Sequence, residues 1–270
     1  MRRLTDVEEI RELLEDRRPY AATALSYLAP RLFGRTEWLE GRGPEGSRAL
    51  MLLVTGNAGG LAYTQGGWVA LEPVLKEVRP FRRSYFTFET AQEPLLREHF
   101  ILRHLQYLIR MHVTAEQFVP VQSRAVPLGP MEVDRVNDLY SIDSGAWISR
   151  RQLGEQVYYG IFESGKLVSV AGTQSVTRQY GVAVVANVMT HPEHRERGYA
   201  RECVGALTEA LLKDVGDVVL NVAPDNTPAI RVYQRLGYRE YCRLAEGWAF
   251  WKGHTRWDRL VATLYDWFTR

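Results

Sequence analysis

Hydrophobic positions recur at helical spacing from the start of the chain: Val7, Ile10, Leu13 and Leu14 fall on one face. Just ahead of them, Thr5-Asp6-Val7-Glu8 has the form of a capping box, in which Thr5 and Glu8 satisfy free backbone donors reciprocally. A second helix is predicted after Pro19, over roughly 20–33. The period then changes. Ala49-Leu50-Met51-Leu52-Leu53-Val54 is a short continuous apolar run bounded by Gly56-Asn57 and Gly59-Gly60, the pattern of a buried strand. Strands at 61–64 and 68–71 are expected as its neighbours. A strand at 85–88, a helix around 95–102 and a strand near 107–113 follow.

Regularity fades across 114–121, which predicts a boundary between a domain at 1–120 and another at 121–270. The second half opens with a strand at 124–128, a helix over 131–140 and a shorter helix near 149–153. Strands at 156–163 and 167–176 are joined by Glu163-Ser164-Gly165-Lys166, a hairpin turn. The run from Gly181 to Met189 is almost wholly apolar, as in a strand in mid-sheet. A helix to about Lys213, a strand at 217–222, a helix at 227–236 and a final strand region at 239–251 complete the pattern. Residues 257–268 are expected to form an amphipathic tail helix. Meander strands come first and βαβ units second, an α+β order. The two halves share a loose helix-helix-strand-strand rhythm without a residue-level repeat.

Composition changes this picture little. Apolar residues make up 46% and charged residues 24% of 270 positions, enough for one or two cores. The 34 Lys plus Arg nearly balance 32 Asp plus Glu, which argues against nucleic acid as a partner. Cys203 and Cys242 form no CxxC and have no nearby His, so no zinc site is expected and the cysteine usage suits a reducing cytoplasm. The N-terminus shows no apolar signal core, and no run approaches the roughly 20 residues needed to cross a bilayer. A cytoplasmic protein with no membrane partner is the expectation.

The candidate chemistry begins at Arg195-Glu196-Arg197-Gly198-Tyr199-Ala200. A helix N-terminus offers unpaired N–H groups and a partial charge of roughly half an electron to a pyrophosphate. Backbone can approach that closely only where side chains are small: Gly198 supplies the permissive conformation and Ala200 the short side chain. Arg195 and Arg197 add positive charge. Val204, Leu207, Leu211 and Val215 continue at helical spacing and pin the turn to the sheet. Alone, this pattern also fits an ordinary strand-to-helix turn carrying two solvated arginines.

A second constellation follows, from Asn221 to Tyr238. Asn226 starts a helix with Pro228 in its first turn, and Gly237 closes it. Tyr233 stands two turns beyond Asn226 on the same face. Either Asn226 reaches a cofactor and Tyr233 offers its hydroxyl to a departing thiolate, or Asn226 is a plain cap and Tyr233 a core aromatic.

Together these constellations resemble the GNAT superfamily of N-acetyltransferases over roughly 124–252. The resemblance is carried by Val188-Met189-Thr190-His191-Pro192-Glu193-His194-Arg195-Glu196-Arg197-Gly198-Tyr199-Ala200 and by Asn226-x-x-Ala229-x-x-x-Tyr233-x-x-x-Gly237-Tyr238. It implies a mixed, splayed β-sheet flanked by helices, with pantetheine in the gap between central strands. Backbone groups of Val188, Met189 and Thr190 would bond the pantetheine and thioester. The loop of Arg195, Glu196, Arg197, Gly198, Tyr199, Ala200 and Arg201 would hold the pyrophosphate, and Asn226 would contact the cofactor. Tyr233 would be the general acid. Acetyl-CoA is then the expected co-substrate, without a metal, and the partner a small-molecule or peptide amine.

One position departs from the family's pattern. Many members carry a carboxylate on the long central strand to deprotonate the amine; here Ala186 and Asn187 stand there. His191 is expected to be structural, and Asp143, Glu163 and Glu246 have no spacing argument, so solvent is a sufficient base. The N-terminal half lacks an R-x-x-G-x-G/A run: Leu71-Glu72-Pro73-Val74-Leu75-Lys76-Glu77-Val78 has no glycine turn. It is expected to be a degenerate copy acting as scaffold, or as wall and lid of the acceptor pocket. Trp147, Tyr158 and Tyr159 either shape that pocket or belong to a core. Trp248 and Trp251 face either a partner or the tail helix. Two other readings keep the fold: an acyl-CoA sensor without turnover, or transfer of a longer acyl or aminoacyl group.

Overall fold

The computed structural model describes residues 1–56, 59–78, 83–143 and 146–253; the predicted tail helix at 257–268 lies outside the described residues. The chain forms two compact units: Met1–Ile109 with the segment from Cys242, and Arg110–Tyr241. This differs from a boundary at 120.

The first unit runs β1 (Arg2–Leu4), α1 (Val7–Glu15), α2 (Arg18–Ser26), α3 (Pro30–Phe33), β2 (Thr36–Arg42), β3 (Arg48–Gly56), β4 (Gly59–Gly66), α4 (Trp68–Glu77), β5 (Arg83–Glu89), α5 (Glu93–His99) and β6 (Phe100–Val113). Three expectations are corrected here. Asp6, not Thr5, caps α1, its carboxylate accepting from Glu9 N at 2.9 Å. The single helix expected over 20–33 is broken before Pro30, which disfavours helical backbone at the preceding residue. The strand expected at 68–71 is the start of α4: Ala70, Leu71, Val74 and Leu75 recur at helical spacing and are all buried. Helix α4 lies directly on β2, where a Cβ on Gly41 would stand 1.9 Å from Ala70 O. Met51, Phe86, Phe88, Leu96 and Phe100 join them in one core.

The second half of the chain runs β7 (Val126–Pro127), α6 (Val133–Ser141), α7 (Arg150–Glu155), β8 (Tyr158–Glu163), β9 (Lys166–Thr177), β10 (Val182–Thr190), α8 (Tyr199–Leu211), β11 (Asp217–Val222), α9 (Thr227–Arg235) and β12 (Arg239–Trp251), the last of which belongs to the first unit from Cys242 on. The hairpin between β8 and β9 turns through Ser164 and Gly165, both left-handed, which matches the natural strand twist. The predicted stripe on α8 is buried: Val204, Leu207 and Leu211 in the helix, and Val215 just beyond it.

Both halves of the chain repeat one order: strand, helices, three antiparallel strands, helix, parallel strand, helix, strand. In the first, β1–β4 pair antiparallel in sequence and β4 pairs β5 parallel. In the second, β7–β10 pair antiparallel and β10 pairs β11 parallel. The rhythm seen in the sequence is therefore a tandem of one topology. The last strand breaks the register of sequence and unit: Leu244–Phe250 of β12 pair with Arg83–Glu89 of β5, so the chain's end completes the first unit. A pairing across so long a separation leaves no local mark, which is why the expected boundary fell elsewhere.

Candidate functional site

The second unit opens where its two parallel strands part. Among the described residues β10 pairs with β11 only through Val182–Val185, and Ala186 to Thr190 continue without a ladder partner on that side. The cause lies in β10 itself. Its pairing with β9 slips between Ala186 and Met189, and Asn187 takes a left-handed φ of 56°. Asn tolerates that region better than most residues and marks a bulge. Val188 is half-buried, Met189 packs into the core beneath, and the Thr190 hydroxyl is 2.8 Å from that of Ser169.

Between β10 and α8 the chain makes a short turn and then a loop with two left-handed residues, Glu196 (φ 65°) and Gly198 (φ 84°). Gly198 is the N-cap of α8 and contributes no side chain to it. The N–H groups of Tyr199, Ala200 and Arg201 in the first turn have no helical acceptor. A Cβ built on Gly198 would meet nothing within 4 Å, so the space over these donors is open, and glycine is required there by backbone conformation rather than crowding. The buried Arg201 Nε is likewise unpartnered among the described residues. An open, donor-rich helix start fits a pyrophosphate.

The structure divides the predicted arginines. Arg195 ion-pairs with Asp143 and donates from Nε to Thr190 O at 3.3 Å, tying the end of β10 to the segment after α6. Arg197 is exposed and donates to Glu193 O at 3.3 Å. The first turn of α8 is braced by residues outside the predicted set. Arg124 bonds Glu202 through side chain and backbone and lies 4.9 Å from the Tyr199 ring centroid. The Tyr199 hydroxyl donates to Glu163 at 2.6 Å. That bond, with nearby Arg124, holds the Glu163 carboxyl below its ordinary range. Burial tends to raise Glu202, but the hydrogen bonds and charge of Arg124 outweigh it and the carboxyl is lowered. Asp143 and Glu163 are thus both occupied by partners. Glu246 lies on β12 in the first unit, where it accepts from Thr87.

Asn226 is exposed and caps α9, its side chain accepting from Ala229 N at 3.2 Å. Tyr233 is 6% exposed with its ring 6.0 Å from that of Tyr238, and burial alone raises its hydroxyl to about 12. His191 Nδ1 accepts from Glu193 N at 3.2 Å, which engages that nitrogen in a local cap.

Asn187 belongs to a network that sequence reasoning missed. Its carbonyl accepts from the Tyr140 hydroxyl at 2.9 Å and its amide donates to the Tyr158 hydroxyl at 2.8 Å. Burial raises both tyrosines. The Tyr158 ring lies over Gly172, where an added Cβ would come within 2.2 Å of it. Trp147 and Tyr158 line a pocket with Asn187, whereas Tyr159, alternating to the other face of its strand, does not. Signals for this existed in a lone Asn within an apolar strand and a Gly facing an aromatic. Among the described residues no cluster of three His, Cys, Asp or Glu could hold a metal.

Residues 158–249 match the family described as FR47-like protein. No curated protein matches the chain by sequence. In fold, the chain is similar to a Drosophila protein at 12% identity, with a TM-score of 0.66 over 94% of this chain and 99% of that one. It is similar to a GCN5-related N-acetyltransferase from Kribbella flavida at 15% identity, with a TM-score of 0.56 over 86% and 96%. A GNAT-family protein from Novosphingobium aromaticivorans gives 20% identity and 0.53 over 75% and 89%. The chain therefore has the GNAT fold, and its residues 158–249 are similar to the FR47-like family.

Proposed function

We propose that the second unit is an acetyl-CoA-dependent N-acetyltransferase that acetylates a primary amine by direct attack in a ternary complex. The observation that carries this is the parting of β10 from β11 after Val185, next to an open, left-handed Gly198 at the start of α8. The first-turn amides of α8, with Arg201 and Arg197, would hold the pyrophosphate, and the edge of β10 at Val188 to Thr190, which has no ladder partner on the β11 side, the pantetheine arm. When bound, acetyl-CoA supplies an activated thioester. The acceptor amine forms the new C–N bond as the C–S bond breaks; its surplus proton passes to water and the departing sulfur gains one.

Tyr233 is the residue assigned to that sulfur. A hydroxyl raised to about 12 is protonated throughout the neutral range. It exceeds an ordinary thiol, near 8.5, by more than three units, so full proton transfer is uphill and a hydrogen bond to the developing thiolate is the larger part of its contribution. Asn187 cannot take a proton, and deprotonation is left to solvent. Calorimetric titration with acetyl-CoA, followed by detection of free thiol with amine acceptors, tests the reading; no heat and no thermal shift at millimolar acetyl-CoA would sink it.

Asn187 in place of a carboxylate also favours a second reading, an acyl-CoA sensor without turnover. Binding of acetyl-CoA without thiol release across primary amines of every charge class would select it. Transfer of a longer acyl or aminoacyl group would appear as turnover with those donors and none with acetyl-CoA.

A further inference from the structure

The pocket beside Asn187 constrains what the acceptor can be. It has a volume of about 220 Å³, and its wall includes Tyr140, Trp147, Gln152, Tyr158, Gln174 and Asn187. None of the described lining residues is Asp, Glu, His, Lys or Arg. Of the acidic groups near these residues in sequence, Asp143 and Glu155 pair with Arg195 and Arg151, and Asp138 is exposed and does not line the pocket. A second ammonium on the acceptor would lose water here without gaining a counter-charge, and a carboxylate would fare no better. Polyamines, lysine-rich peptides and free amino acids are poor fits on that ground.

The walls offer amides and hydroxyls. Asn187 spends its amide nitrogen on Tyr158, while its side-chain oxygen accepts no hydrogen bond from the described residues. Gln152 accepts from Ser149 through its oxygen, leaving its nitrogen as a donor. Such mixed donors and acceptors suit a ligand whose hydroxyls both give and take hydrogen bonds. At the rim Trp147 is 72% exposed, and its indole offers a flat apolar face to a ring.

The missing base points the same way. A lysine-type amine, with a pKa of about 10.4, is neutral in roughly one molecule per thousand near pH 7.4. Hydroxyls on adjacent carbons withdraw electron density, lower that basicity and enlarge the neutral fraction, so a site without its own base favours such an amine.

We propose that this pocket takes a small primary amine on an uncharged, hydroxylated ring, the amino-sugar class; this rests on the transferase reading above. Glucosamine, spermidine and a lysine-containing peptide are compared as acceptors at saturating acetyl-CoA, with thiol release as the readout. Trp147→Ala and Gln174→Ala, both at exposed positions, are measured alongside. We expect kcat/KM for glucosamine to exceed the other two by at least roughly tenfold. Each substitution should raise the glucosamine KM by roughly three- to tenfold while the acetyl-CoA Kd stays unchanged. Turnover favouring spermidine or the peptide overturns the proposal and leaves the transferase reading intact; acetyl-CoA binding with no turnover of any of the three overturns the proposal and favours the sensor. Failure to bind acetyl-CoA defeats the underlying reading, and the proposal with it.

Discussion

The two units of this chain share a topology and differ at one junction. In the second, eight residues from His191 to Gly198 separate the strand that precedes the parallel pairing from its helix; in the first, Gly67 alone separates β4 from α4. One residue cannot form a loop that turns N–H groups outward around a ligand. The first unit also occupies its own parting. Its parallel pairing ends at Tyr63 and Thr87, and the β4 backbone beyond is claimed by buried side chains. The Tyr20 hydroxyl donates to Thr64 O at 2.7 Å and the Gln92 amide to Gly66 O at 2.8 Å. Gln65 donates to Leu13 O, and the Thr64 hydroxyl to Gln92. In the matching stretch of the second unit the Asn187, Met189 and Thr190 carbonyls accept from Tyr140, Ser169 and Arg195, so the difference between the units lies in the open helix start at Gly198.

The largest expected effect tests Tyr233. Tyr233→Phe should lower kcat by roughly 10²-fold, as for loss of one hydrogen bond to developing charge, with acetyl-CoA affinity retained. Helix α5 of the first unit carries no tyrosine that could replace it. An unchanged kcat would remove Tyr233 from the chemistry.

Next comes the closed cleft. Tyr20→Phe or Gln92→Leu strips the donor from a buried carbonyl and should cost about 1–3 kcal/mol of stability. Denaturant unfolding measures this, and the acetyl-CoA Kd should not move. A gain of a second binding site in Gln92→Leu would show that the cleft is merely plugged.

Glu40 gives a comparable effect with a pH signature. Its buried carboxylate takes Arg2, Arg42 and Arg48 at 2.8, 3.3 and 2.6 Å, tying β1, β2 and β3. Burial works to raise it, but the bonds and charges of Arg48 and Arg2 prevail and hold it low. A lowered folded pKa adds stability above the unfolded value of about 4.5, lost as pH falls through the folded one. Glu40→Gln should therefore lower Tm at pH 7, with the difference shrinking as the pH falls below about 4.

The smallest effect concerns the brace on α8. Arg124→Ala frees Glu202 and unseats Tyr199, and should weaken acetyl-CoA binding several-fold, by about 1 kcal/mol. Glu40→Gln, in the other unit, should leave that affinity alone.

Much of this was legible in the residues. The β11 and β12 ranges match the expected strands, and the Gly198 turn fell where a lone glycine met a periodic helix. Local signals served wherever period and turn residue agreed. They failed at 68–71, where four residues are too short to separate strand from helix. They were silent on Arg124 and Tyr140 and left Tyr158 between pocket and core, because the roles of these residues arise from partners 78, 47 and 29 residues away. The arginine pair illustrates the limit: charge was readable at Arg195 and Arg197, but only the fold assigns Arg195 to Asp143.

The most direct test of the contrast between the units is a calorimetric titration of acetyl-CoA into three proteins: the wild type, Gly198→Val and Gly67→Ala. A branched side chain is strained at φ 84° and would enter the space over the α8 donors, whereas Gly67 has φ −68° and open surroundings. The account predicts one site per wild-type chain, a loss of affinity of roughly 10²-fold in Gly198→Val, and an unchanged isotherm in Gly67→Ala. Two sites per chain, or binding that survives Gly198→Val and fails in Gly67→Ala, would contradict it.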